Sequence, residues 1–134
     1  MDDVDRYGKV HLWIGTNFSS DEVYLKYFEL EYTEDLDDPA YKACGFCQDI
    51  GARWYDEDFI GIIPRKSCEV SLDEILKDAA VDRACIGSVK AECLRLGVTK
   101  ANAIFWYSDG ATPISIPLKS NYNGLKYVGL YEGE

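Results

Sequence analysis

The run Trp54-Tyr55-Asp56-Glu57-Asp58-Phe59 sets three carboxylates among three large rings. Read as a strand, it puts Asp56 and Asp58 on one face and turns Glu57 away. Two carboxylates on one face could hold Mg²⁺. A divalent-metal hydrolase built on Asp56 and Asp58 would need further ligands or a base, and nothing elsewhere in the chain marks them. The same residues could form a solvated, inert strand end. They also suit a contact surface for a cationic partner, because aromatic anchors ringed by charge are the usual composition of binding hot spots. In that reading Trp54, Tyr55, Asp56, Glu57 and Asp58 form the partner-binding face. A second acidic stretch holds Glu29, Glu31, Glu34, Asp35, Asp37 and Asp38. It lacks the alternate spacing and the sixth-position glycine of a calcium loop. It reads either as a solvated loop or, through Glu34, Asp35, Asp37 and Asp38, as a second part of the same face.

Other reactive residues are sparse. The single histidine, His11, stands in a strand-like run beside Trp13. A lone histidine there is more often structural than catalytic, and a serine or cysteine hydrolase would need it as the base. No nucleophile turn of the G-x-S-x-G kind occurs, nor any glycine-rich phosphate loop. Cys44 and Cys47 form a C-x-x-C among five cysteines. A zinc site would want a second close pair, whereas Cys68, Cys85 and Cys93 are widely spaced. A redox pair would want Cys44 just ahead of a helix that follows a strand. Here a helix-like segment, residues 39–43, precedes it, so small core residues are the simpler reading. The ten tyrosines divide between interface and core roles. Tyr24, Tyr27, Tyr32, Tyr41, Tyr55, Tyr122 and Tyr131 are too many for all to be core.

Charge narrows the partners. Of the 134 residues, 24 are acidic and 14 basic, for a net charge of -10. Residues 1–67 carry 15 acidic and 7 basic side chains, net -8, while residues 68–134 carry 9 and 7, net -2. Such a field bears on partners and association rate. It argues against nucleic acid or an anionic membrane as direct partners, since both need a basic face. It suits a basic protein, or simple solubility. No apolar run approaches the roughly 18 residues of a membrane span. The acidic start lacks the parts of a signal peptide, and the odd cysteine count suggests free thiols, so the expected compartment is the cytosol.

The elements that must position these residues form one expected domain over 1–134. Val10, Leu12 and Ile14 alternate with His11 and Trp13, which predicts a strand with one buried face. Ser19 with Glu22 predicts a capping box, and Phe18 with Val23 a hydrophobic staple, opening a helix with Tyr24, Leu25, Phe28 and Tyr32 on its apolar stripe. Pro39 opens a second helix to about Asp49, closed by Gly51. Residues 54–63 read as a strand, bulged at Gly61 and stopped by Pro64. Ser71 with Glu74 caps a short helix, and Val70 with Ile75 repeats the staple. Another helix runs from Asp82 to Leu96, burying Ile86, Val89, Cys93 and Leu96 and ending at Gly97. Ala103–Tyr107 reads as a central strand. Asp109-Gly110 predicts a hairpin into an edge strand over 112–118, where Pro113 and Pro117 argue against dimers through sheet edges. Asn123-Gly124 turns the chain into a final strand through Tyr131. The order β-α-α-β-α-α-β-β-β is an α+β fold, a mostly antiparallel sheet with helices on at least one face.

Three stretches together resemble a known family. They are Val10-His11-Leu12-Trp13-Ile14-Gly15-Thr16-Asn17-Phe18 with the capped helix after it, Gly51 with the Tyr55–Phe59 run, and Leu96-Gly97-Val98-Thr99-Lys100-Ala101-Asn102-Ala103-Ile104. Over about residues 8–108 the chain resembles the immunity protein 22 family of bacterial polymorphic toxin systems. It departs at Gly61, where the resemblance leads one to expect an acidic residue. The resemblance implies a cytosolic antidote, without catalysis or cofactor, that binds and blocks a cognate toxin domain, often a nuclease.

Overall fold

The computed structural model describes residues 8–29, 44–52, 55–116 and 118–133. Strand β1, Lys9–Gly15, is buried from Val10 onward on both faces. The single buried face expected from its alternation is therefore incomplete: His11 and Trp13 are buried as well. The reason is position. β1 pairs antiparallel with β5, Ala103–Tyr107, on one side and with β6, Leu125–Glu132, on the other. β2, Ile60–Ile62, pairs with the far side of β5, so the four-stranded sheet runs β2-β5-β1-β6, antiparallel throughout. Every second residue of the central strands faces one layer of helices, and the alternate residues face another.

On the first face Val10, Leu12, Ile14 and Ile104 meet the second half of the helical set. There Ser71 caps α3, Leu72–Ile75, by accepting the Glu74 N–H at 3.3 Å, as its spacing predicts. Val70 and Ile75 pack in the same cluster. After two 3₁₀ turns, Leu76–Asp78 and Arg83–Cys85, helix α4 runs from Ile86 to Arg95. It buries Val89 and Cys93, with Ile86 and Leu96 half-buried beside them. Gly97 then turns the chain at φ +85°, a conformation an L side chain rarely takes. A small second sheet, β3 at Val70–Ser71 with β4 at Lys100–Ala101, is a pairing the sequence pattern did not suggest.

On the opposite face lie two short helices. α1, Asp21–Lys26, is capped one residue later than expected, because Ser20 and not Ser19 accepts the Val23 N–H at 3.2 Å. Asn17 takes Ser19 instead: its Oδ1 accepts the Ser19 N–H at 2.8 Å. The shift rotates the helix, leaving Phe18 63 % and Val23 58 % exposed, so no staple forms. Tyr24 and Phe28 are buried, but Leu25 is not. Arg65 holds this entry with Nη1 on the Asn17 and Ser19 carbonyls and Nη2 on Asp21. α2, Gly45–Ile50, is capped by Cys44 and stopped by Gly51 at φ +82°. Tyr32, Pro39 and Tyr41 lie outside the described residues.

Two expected strands differ. The strand expected from residue 54 begins only at Ile60, since Asp56 captures the backbone ahead of it, as the site below shows. Gly61 is not a bulge. It pairs in register with Trp106, and a Cβ there would lie 2.2 Å from the Trp106 ring. Residues 112–116 form no strand. Asp109 closes a turn on itself, its Oδ1 accepting the Ala111 N–H at 3.1 Å, and Ser115 donates to the Ile50 carbonyl at 2.9 Å. The segment is thereby tied to α2 instead of to β5, and Pro113 has no N–H to offer a ladder. The Asn123-Gly124 turn is as expected, with φ of 61° and 94° at its two residues. The fold is α+β, with helices on both faces.

Candidate functional site

The acidic turn rests on a buried tyrosine. Tyr55 is 3 % exposed, and its hydroxyl donates to the Phe28 carbonyl. Its ring meets Phe46 edge-on at 5.2 Å and Tyr107 at 6.0 Å. Burial pushes its hydroxyl pKa well above the ordinary value. Tyr55, expected on the contact face, is therefore a core anchor whose side chain is almost wholly withdrawn from the surface.

The next residue leaves the core. The Asp56 N–H donates to the Tyr107 hydroxyl at 2.8 Å. Asp56 Oδ1 then accepts the Asp58 N–H at 3.0 Å, and its carbonyl accepts the Phe59 N–H at 3.0 Å. An aspartate side chain that mimics the backbone in this way favours a turn over a strand. The turn leaves Asp56 half-buried and exposes Glu57 and Asp58. The idea that Asp56 and Asp58 share a strand face is lost with the strand. Phe59 closes the turn, half-buried against Tyr107 at 6.4 Å between ring centroids. Ser108 donates to the Phe59 carbonyl at 2.8 Å, which carries the chain into β2.

The ion pairs that the described residues make lie elsewhere, as with Arg65–Asp21, Lys66–Asp78, Lys90–Asp73 and Lys119–Asp49. Trp54, Glu34, Asp35, Asp37 and Asp38, the remaining expected site residues, lie outside the described residues. Among the described residues no three His, Cys, Asp or Glu side chains gather as a metal group would require. No described helix is long and apolar enough to cross a membrane.

Most described tyrosines serve the interior. Tyr24, Tyr55, Tyr107 and Tyr122 are buried, and Tyr27, Tyr127 and Tyr131 are half-buried. His11 is 4 % exposed and packs between Trp13 and Tyr127, its Nδ1 sharing a 2.7 Å hydrogen bond with the Tyr127 hydroxyl. Burial holds its pKa below the ordinary value, while Asp109 and the Thr112 backbone pull weakly the other way. It is a structural residue of the aromatic layer.

Surface apolar residues are what the pattern missed. Phe18, Val23 and Leu25 are exposed around α1, and Ile116 and Leu118 on the loop before Tyr122. A groove of about 420 Å³ runs between α1 and the end of β2, lined by Tyr24, Leu25, Ile62 and Arg65 among others. Three consecutive apolar residues, Val23-Tyr24-Leu25, were the available signal, because a helix cannot bury all three on one side.

Neither a curated protein nor a solved structure matches this chain. One family does, described as immunity protein 22, and the match spans residues 10–134, from β1 through β6. The match reaches beyond the stretches that carry the resemblance, and takes in the sheet, both helical layers and the acidic turn. The chain belongs to the immunity protein 22 family.

Proposed function

We propose that this immunity protein acts in the cytosol, as one domain over residues 1–134, by binding a basic toxin domain of the nuclease class. It blocks the toxin without chemistry or a cofactor of its own. The contact face includes Asp56, Glu57 and Asp58, with Trp54 and with Glu34, Asp35, Asp37 and Asp38. The placement of charge carries the reading: the first 67 residues hold net -8, and Glu57 and Asp58 stand exposed on a turn braced by Tyr55 and Tyr107. A nuclease must attract a polyanion, so its active site is basic. A carboxylate cluster can occupy such a site, forming charge-assisted hydrogen bonds with Arg or Lys. Exposed carboxylates around it speed association.

The test is binding to the toxin-like domain encoded beside this protein, at low and at high salt, with growth rescue on co-expression. Tight binding that weakens with salt is expected. Glu57→Lys combined with Asp58→Lys, which keeps the Asp56 side chain on the turn, should weaken it by about 100-fold or more, on the scale of paired interface charges, while the melting temperature holds. Unchanged affinity in a folded double variant would sink the site.

A further inference from the structure

The C-x-x-C pair is not used by the proposed contact face, and its geometry differs from that of ordinary core thiols. Cys44 is the N-cap of α2, and its Sγ accepts the Cys47 N–H at 3.4 Å. The Cys44 and Cys47 sulfurs stand 3.3 Å apart in hydrogen-bond contact. A disulfide requires about 2.05 Å, so the remaining approach is small. Cys44 keeps 8 % of its surface exposed, and Cys47 none. The two thiols are also unlike in acidity. Hydrogen bonds from the Cys47 side chain and from nearby backbone N–H groups hold Cys44 below the usual thiol range, and the same contact raises Cys47. This asymmetry fits an attacking and a resolving thiol. Among the described residues no third metal-ligating group stands by.

We infer that Cys44 and Cys47 form a reversible redox site, converted to an intramolecular disulfide by a low-molecular-weight disulfide. The Cys44 thiolate attacks one sulfur of the oxidant, forming a mixed disulfide and releasing one thiolate. Cys47 then gives up its proton and attacks the Cys44 sulfur, expelling the second thiolate. Two protein thiols are oxidised and one small disulfide is reduced to two thiols.

The experiment equilibrates the full chain in buffers of graded reduced and oxidised glutathione, traps free thiols with N-ethylmaleimide and maps the peptides by mass. Exposed Cys68 serves as the internal control for access of the oxidant. A 44–47 linked peptide that rises with the oxidised fraction and vanishes on reduction is expected, in a chain that stays folded and monomer-sized. In Cys44→Ser no intramolecular link should form, and Cys47 should remain alkylated. Cys44 and Cys47 both staying free while Cys68 is fully modified would overturn the assignment, as would a link that joins either of them to another cysteine instead.

Discussion

On one face of the central sheet Val10, Leu12, Ile14 and Ile104 meet Leu72, Ile75, Val89 and Cys93; on the other Trp13, Phe105 and Tyr107 meet Tyr24, Phe28, Phe46 and Tyr55. The aliphatic face closes with small branched side chains and is covered by α3 and α4. The aromatic face closes with rings in tilted and edge-on contact, such as Trp13 with Phe46 at 5.3 Å and Phe28 with Phe105 at 4.8 Å. Large rings leave polar atoms inside. Among the described residues the buried polar side-chain atoms without a hydrogen-bond partner, His11 Nε2, Trp13 Nε1 and Tyr24 Oη, all belong to this second layer. The cysteine pair and the root of the acidic turn belong there too. The contrast sets both proposed sites, the acidic turn through Tyr55 and the cysteine pair, on the aromatic side of the sheet.

The strongest way to break this contrast is to empty the ring layer. Phe46→Ala should destabilise by about 3–5 kcal/mol, because the ring is fully buried and lies against the rings of Trp13, Tyr27, Phe28, Tyr55, Phe105 and Tyr107. Denaturant unfolding measures it, and a loss under 1 kcal/mol would mean that the layer is loosely packed. On the aliphatic side the sharpest probe is Gly61→Ala, whose Cβ would fall 2.2 Å from Trp106. A loss of about 1–3 kcal/mol is expected from overpacking. Adding Trp106→Leu should recover part of it; no recovery would argue against the clash.

Tyr55→Phe separates support from contact. Losing one buried hydrogen bond should lower stability by about 1 kcal/mol, while affinity for the toxin domain stays the same. A large affinity loss at unchanged stability would return Tyr55 to the contact face.

The smallest effect is a slope. His11 has a folded pKa below its ordinary 6.5 because it is buried, so the unfolded chain takes up the proton first as pH falls. Stability from this group is full above pH 6.5 and declines below it, until the folded pKa is passed. The Thr112 backbone and the Asp109 charge, which pull the pKa back up, limit how far down that window extends. His11→Gln should flatten the stability curve below the ordinary histidine pKa of 6.5, measured by denaturant titration. An unchanged slope would place the acid sensitivity elsewhere.

Much of the frame could be read from local pattern. Ser71 capping α3, Gly97 ending α4, the Asn123-Gly124 turn and the central strand Ala103–Tyr107 stand where their residue types put them. These are signals in which one residue's backbone preference or hydrogen bond decides the outcome within a few positions. The misses share a different cause. Ser19 and Ser20 are equally good caps in sequence, and Asn17 and Arg65, 46 positions further on from Ser19, settle which one is used. Asp109-Gly110 looks like a hairpin turn, yet Ser115 finds its partner in Ile50.

The chain by itself determined an α+β fold of strong negative charge, the Ser71 cap, the Gly97 and Asn123-Gly124 turns, and its family, because composition and short-range preference are written in adjacent residues. Tertiary structure decided that most of the described rings, Phe18 excepted, face inward, that Tyr55 is buried beneath the acidic turn, and that Gly61 yields its space to Trp106. Each of these depends on which distant side chain arrives to fill the space, and burial follows from that neighbour and not from the residue's own type.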